Sequence, residues 1–558
     1  MGIQKSADGG AEAIHQLPEG RPMKKNPHKR HDVAILGAGM AGGLLATVLA
    51  RHGVDVLLID AGTHPRFAVG ESTIPYTSAM TRIIGERYDV PEIVHLASFR
   101  GIQDHVSPMS GRKQNFGFVY HREGRPQNPD EVNQLVVPEW QRTESHLFRQ
   151  DTDAYLFHLA VRHGATPLLG TRIADIETGP DGVLLRSDRG EEYHAEYLVD
   201  GGGHRSPVAE KFGLREEPTR ARHHSRTLFT HMVGVTPYDD APSAAAHKQP
   251  SPWHHGTLHH VFDGGWLWVI PFDNHDGALS PLCSVGLTLD ERKFPKPDPQ
   301  DRTPQQEFDD FLVRFPQIAE QFTNARTVRP WVATGRLQYS STRTVGERHC
   351  LTAHAAGFTD ALYSRGLTNT TEVVNSLAWR LIEAAKDGDW STSRFEYIDR
   401  LQQGLYDVHD DLVYSSFVAF RHYDLWNAVT RVWESTSIMP TMTVERAYRR
   451  FMEHKDDQIL KDLEQTTTPG LPAPVGEDIS ALLTLTRTTC QAVEAGGLEA
   501  AEAAELIFEQ LRESKFLPAP FTLGDPANKC FEATPELLGE ALEWGRTQAP
   551  EHIAALFR

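Results

Sequence analysis

The segment DVAILGAGMAGGLLATVLARHGVDVLLID, from Asp32 to Asp60, leaves this chain little freedom in how it begins to fold. A short apolar run, Val33–Leu36, breaks at the turn Gly37-Ala38-Gly39-Met40-Ala41-Gly42. A helical run and a second apolar strand ending at Asp60 follow. In a strand–turn–helix of this kind the first glycine permits the tight turn. The second lets the backbone approach a pyrophosphate, and the third lets helix and strand pack closely, with the phosphates on the helix N-terminus. Asp60 stands 18 residues beyond Gly42, where an acid can hold ribose hydroxyls and would repel a 2′-phosphate. The segment therefore predicts a dinucleotide site built from Gly37, Gly39, Gly42 and Asp60, for FAD or NAD rather than NADP. Val33–Ala50 also imitates a membrane anchor: it is uncharged, follows the basic run KKNPHKR and contains a G-x-x-x-G at Gly39 and Gly43. The clustered glycines and the second strand three residues further on argue against that reading.

Two later stretches favour FAD. EYLVDGGGHRSPVAEKFG (196–213) is an apolar strand ending in Asp200 and a glycine run. RHCLTAHAAGFTDALYSRGLTNTTEVVNSLAWRLIEAA is a strand, a loop with Asp360, and a long helix from about Thr368. An elongated FAD needs holding along its length, with a helix N-terminus facing the flavin; each stretch also reads, singly, as an ordinary βα connection. The chain is too long for one core at 558 residues, and 56 basic against 75 acidic residues give a net charge of −19. That balance argues against nucleic acid or an anionic membrane as partner. Four widely spaced cysteines, Cys283, Cys350, Cys490 and Cys530, suit a reducing cytoplasm rather than a disulfide framework or zinc site. Among the histidine pairs, adjacent residues of a strand point oppositely and cannot chelate one metal together, so no metal site is expected; His255, His259 and His260 are candidates to line a pocket. GGWLWVIPF (264–272) puts Trp266 and Trp268 on one face of a strand that stops at Pro271, an arrangement that core packing alone would explain.

Taken together, the GAGMAG turn, HPRFAVGESTIP with Gly70-Glu71-Ser72, the W-x-W-x-I-P of Trp266–Pro271, and GFTDALYSRGL resemble the FAD-dependent halogenases. The likeness is greatest to the group acting on free aromatic compounds in pyrrolnitrin and chlortetracycline biosynthesis. It runs from about Asp32 to Glu434 and more loosely onward. The resemblance implies FADH2 supplied by a separate reductase, O2, and chloride or bromide. The flavin hydroperoxide would convert halide to hypohalous acid, which travels past Trp266, Trp268 and Pro271 to a lysine that halogenates a small aromatic substrate.

In GRKQNFGFVYH that lysine corresponds to Lys113; read without the family, it is a solvated lysine at a strand start. Further expectations are cofactor contacts from Glu71, Ser72, Arg149 and Asp360, and a halide nest at the backbone of Arg365 and Gly366. Gly366 also reads as a simple helix entry. Ala361 replaces a proline common in the family. Tyr363, expected beside the tunnel or substrate, takes the place of the glutamate of the tryptophan-specific branch, which points to an activated phenol or pyrrole and away from free tryptophan.

The expected fold is α/β: a Rossmann-type FAD domain interleaved with a mostly antiparallel substrate sheet, then a helical C-terminal region. Residues 1–30 read as a disordered tail and 31–399 as the core. Its FAD parts are about 31–75, 145–215 and 340–399, and its substrate parts about 76–144 and 216–339. Residues 400–558 read as helical, with aromatics Tyr406, Phe417, Phe420, Tyr423, Trp426 and Trp433 as core. The competing functions are a flavin-dependent aromatic hydroxylase and a catalytically silent flavin- or metabolite-binding protein.

Overall fold

The computed structural model describes residues 29–137, 144–298 and 300–557. The tail expectation lies outside them up to residue 28, and Arg30 already belongs to the first strand. That strand, Arg30–Leu36, is the centre of an eight-stranded sheet. Val56–Asp60 and then Thr166–Leu169 lie parallel on one side, Glu192–Asp200 and His349–Leu351 parallel on the other. Both faces of the central strands are covered, which is why their sequences are almost unbroken Val, Ile and Leu. The helices Met40–Arg51, Arg149–His163 and Arg365–Asp387 share one buried cluster on one side of the sheet. Two glycines of the first turn are dictated by sterics. Gly37 has φ +90°, and a Cβ on Gly42 would lie 1.8 Å from the Gly37 carbonyl oxygen.

The second sheet has nine strands. Along its main path run Ser225–Val233, Leu282–Asp290, Gly265–Pro271, Thr257–Phe262, Asn115–His121 and Val132–Val136. Neighbours are antiparallel except for two pairs. Thr257–Phe262 runs parallel to Asn115–His121, joining segments far apart in the chain. Cys530–Glu532 runs parallel to Val132–Val136. The C-terminal region is thus helical but also closes one edge of this sheet with a strand too short to register as alternation in the sequence. Its helices Thr392–Ala419, Tyr423–His454, Gly476–Glu494 and Ala500–Glu513 cover the face bearing Phe116, Phe118, Trp266 and Trp268. Leu267 and Val269, on the opposite face, join a separate core.

The helix expected from Thr368 starts at Arg365, because the S-R-G-L turn is itself its first turn, entered through Ser364 at φ +53°. No helix among the described residues is long and apolar enough to cross a membrane.

Trp268 owes its place to a missing side chain. It pairs with Gly286 on the neighbouring strand, and a Cβ there would fall 2.0 Å from the indole ring. Gly286→Ala should therefore displace Trp268 and destabilise the sheet by about 1–3 kcal/mol, the usual cost of overpacking. A lowered unfolding midpoint with altered tryptophan fluorescence checks this; an unchanged midpoint would mean the ring moves freely.

Candidate active site

At the carboxyl ends of the parallel strands lies a cavity of about 1590 Å³, walled by Gly37, Asp60, Arg66, Gly201, Arg205 and Arg215 among others. This is where open α/β sheets bind dinucleotides. The Asp60 carboxylate accepts from the backbone of Ala38 and Gly62, each at 2.7 Å, and is held by Arg66 at 2.8–2.9 Å. Asp200 does the same at the next strand end: it accepts from Gly202 N and Val208 N and from the Ser206 hydroxyl, fixing the glycine run. Gly39 is different from its neighbours. A Cβ on it would meet only the Arg66 guanidinium at 3.5 Å and Asp153 at 3.6 Å, so no protein atom requires glycine there. What the missing side chain preserves is room at the helix N-terminus, the space a pyrophosphate would fill.

A second cavity of about 610 Å³ shares His204, Arg205 and Tyr339 with the first and continues inward. Glu71, Trp266, Trp268, Asp360, Ala361 and Gly366 are on its wall. The two together form one elongated recess, with a phosphate-type end on the parallel sheet and an apolar inner end, and these proportions fit FAD. Asp360 is wholly buried; its carboxylate accepts from Leu362 N and the Ser225 hydroxyl, both at 3.0 Å. Glu71 is paired with His231 at 2.6 Å. At the inner end the helix Arg365–Asp387 begins, where first-turn N–H groups have no intrahelical partner. Gly366 lies there against His354, whose ring nitrogen would sit 2.8 Å from an added Cβ. The backbone can thus present N–H groups to a small anion.

Lys113 is 2% exposed and stands just behind this wall. Its Nζ donates to Ser72 Oγ at 2.7 Å and to the Thr73 carbonyl at 2.8 Å, and lies 4.2 Å from the centroid of the Phe116 ring. Burial pulls its pKa down to about 7, with the Glu144 carboxylate pulling the other way. An amine of this kind is substantially unprotonated at neutral pH.

From Lys113 a run of aromatic rings leads back to the cavity. Phe116 stacks on His259 at 4.5 Å, His259 is 5.4 Å from Trp266, and Trp266 is 5.5 Å from Trp268. Trp433 meets Phe116 at 4.8 Å and stacks on Tyr363 at 5.1 Å.

Some expected site residues are placed differently. Tyr363 does not line the recess. It is sealed in the core against Trp433, with its hydroxyl on Ser416 at 2.6 Å, because the helical region packs down on it. Pro271 also stands off the inner cavity, and its carbonyl accepts from His146 at 2.7 Å. Ser72 lines the inner cavity beside Glu71, and its hydroxyl also accepts from Lys113. Arg149 spends its guanidinium on Asp153 and on the carbonyls of Val69 and Gly70, bracing the loop that carries Glu71. The Arg365 side chain is buried with Glu372 and Tyr76 as its electrostatic partners, leaving only its backbone for an anion.

Of the three histidines, His259 reaches the wall, while His260 faces the other way to His121 and Gln321. His255 is only half-buried and lines neither cavity. Arg66 was legible in HPRFAVGEST only as a conventional basic residue, and nothing in the sequence marked its grip on Asp60.

Residues 32–93 match the Tryptophan halogenase family. The chain is 46% identical over 531 residues to the tetracycline 7-halogenase of Kitasatospora aureofaciens, covering 94% of this chain and 95% of that one. It is 42% identical over 547 residues to monodechloroaminopyrrolnitrin halogenase PrnC of Pseudomonas fluorescens, covering 96% and 95%. The fold superposes on the crystal structure of halogenase PltM in complex with phloroglucinol and FAD with a TM-score of 0.85 at 32% identity, covering 90% of this chain and 99% of that one. With near-complete coverage at such identity, and a recess shaped for FAD beside a buried lysine, the chain belongs to the flavin-dependent halogenases.

Proposed function

We propose that this halogenase chlorinates or brominates a free, electron-rich aromatic intermediate of natural-product biosynthesis, and that Lys113 delivers the halogen. FAD would be held by Gly37, Gly39, Gly42 and Asp60 at its adenine end and by the wall containing Glu71 and Asp360 at its flavin end. The chemistry it supplies when bound is the reductive activation of O2 that turns halide into hypohalous acid. A separate reductase would supply the reduced cofactor, in the cytoplasm. The backbone of Arg365 and Gly366 would hold the halide, and Trp266 and Trp268 would separate that place from Lys113.

The observation that carries this reading is the buried amine of Lys113, with its pKa near 7 and its aromatic surroundings. In the unprotonated form its lone pair can attack the halogen of hypohalous acid. The N–X bond forms as the O–X bond breaks, the hydroxide released takes an amine proton, and water leaves. The aromatic ring then takes the halogen from nitrogen and loses a proton.

Replacing Gly39 by Val should fill the pyrophosphate space and weaken FAD binding by tenfold or more, roughly 1.4 kcal/mol or above. Equilibrium dialysis checks this, and unchanged affinity would move the cofactor elsewhere. Lys113→Ala should leave reductase-coupled O2 consumption and release of hypohalous acid or peroxide intact while abolishing halogenated product. Lys113→Arg should fail as well, since a guanidinium stays protonated. In the wild type, product formed per hypohalous acid should rise as pH increases through about 7, because the ammonium has no lone pair and the amine does. A ratio that falls across the same range would assign the work to the ammonium. Hydroxylated product under every halide condition would identify a hydroxylase instead.

A further inference from the structure

Behind Lys113 runs a line of buried hydrogen bonds whose direction can be read from its far end. The Pro271 carbonyl has no hydrogen to give, so His146 Nδ1, 2.7 Å away, must carry the proton. Burial holds this imidazole neutral, its pKa lowered to about 3. His146 Nε2 is then an acceptor, and the Thr257 hydroxyl at 3.0 Å must donate to it. Thr257 Oγ1 has given its only hydrogen, so at 2.9 Å it accepts from the Ser72 hydroxyl. Ser72 in turn has only a lone pair to offer Lys113 Nζ at 2.7 Å. The Thr73 carbonyl at 2.8 Å is likewise an acceptor. Two of the three non-carbon positions of the tetrahedral Nζ are thereby fixed as N–H donors. The third, an N–H in the ammonium and the lone pair in the amine, is the position left over, and Phe116 is the ring beside it.

The backbone holds the same line together. Ser145–His146 pairs with Gly111–Arg112, and His146 bridges to Ser72. Gly111 permits the close approach, since a Cβ there would lie 2.5 Å from the Pro271 oxygen.

We infer that His146 is a positioning residue for Lys113: anchored by the Pro271 carbonyl, it sets the direction of the Thr257 and Ser72 hydroxyls so that the Lys113 lone pair is presented to the aromatic side and never captured by Ser72. This rests on the halogenase reading of Lys113. It also gives Pro271, which ends the tryptophan strand, a task at the lysine rather than at the cavity wall. The titratable groups facing Lys113 are Glu144 on the segment before His146, His146 itself, and His259 on the strand beside the tryptophans.

Cutting the line lets it reverse. In Thr257→Val the Ser72 hydroxyl loses its acceptor and can donate to the neutral amine. In His146→Asn the side-chain amide can still donate to Pro271, but Nε2 is gone, so Thr257 can turn toward Ser72 and release it in the same way. Thr257→Ser keeps the line whole.

The test uses full-length protein with reductase, FAD, NADH and bromide, and a phenol as aromatic probe. It reads brominated product per hypohalous acid, together with a ¹⁵N NMR titration of the Lys113 Nζ on flavin-free protein. Thr257→Val and His146→Asn should lose about tenfold in that ratio while oxygen consumption is unchanged. Their Lys113 titration midpoint should move down by about half to one pH unit, the worth of one hydrogen bond given to the neutral form. Thr257→Ser should match the wild type in both.

A folded Thr257→Val with wild-type ratio and midpoint overturns the inference, and does so even if His146→Asn fails to fold. Lost product with an unmoved midpoint also overturns it, since that pattern marks a merely structural role. A wild-type enzyme that makes no brominated product would instead sink the halogenase reading of Lys113 on which this rests.

Discussion

The active site is organised around the desolvation of one amine. Lowering the Lys113 pKa from 10.5 to about 7 costs the fold roughly 5 kcal/mol in protonated-form stability, at about 1.36 kcal/mol per pH unit. The surrounding elements are arranged to bear it. The substrate sheet contributes Phe116. The Gly70–Thr73 loop, braced by Arg149, contributes two acceptors. The long C-terminal helix brings Trp433 down on Phe116 and closes the other side.

In the mechanism proposed above, this arrangement would separate two incompatible chemistries. An oxidant made beside the flavin would react with whatever is exposed, and the wall between the recess and Lys113 is built of stacked and tilted rings and of backbone already committed to the sheet. Trp266 and Trp268 are held there by a central strand and by the absence of a side chain at Gly286. Their surfaces are therefore fixed rather than adaptable, which suits a partition. The pairing of Asp60 with Arg66, and of Asp200 with the glycine run, serves the other end of the recess in the same spirit, holding backbone N–H groups in place before any ligand arrives.

The sequence revealed the parts of this that are local. The spacing of Gly37, Gly39 and Gly42 and the acid at Asp60 follow from backbone geometry over thirty residues, and the two tryptophans share a face because strands alternate. Lys113 was singled out by its resemblance to the family; its burial depends on Thr73 and Trp433, residues distant in the chain that only tertiary packing brings near. The burial of Tyr363 has the same origin in tertiary packing. Its neighbours Asp360, Ala361 and Gly366 line the recess, yet one turn of backbone and a helix arriving from the C-terminal region seal it in the core. The strand Cys530–Glu532 is three residues long and is defined by its partner Val132–Val136 rather than by any pattern of its own.

In the proposed mechanism the Lys113 amine itself takes the halogen. The direct test is to run the enzyme with reductase and bromide but no aromatic substrate, and to map the quenched protein by peptide mass spectrometry. One bromine should replace one hydrogen on the peptide carrying Lys113 and be discharged when a phenol is added before quenching. A protein that brominates the phenol yet never carries bromine at Lys113, or carries it only on exposed lysines, would contradict it.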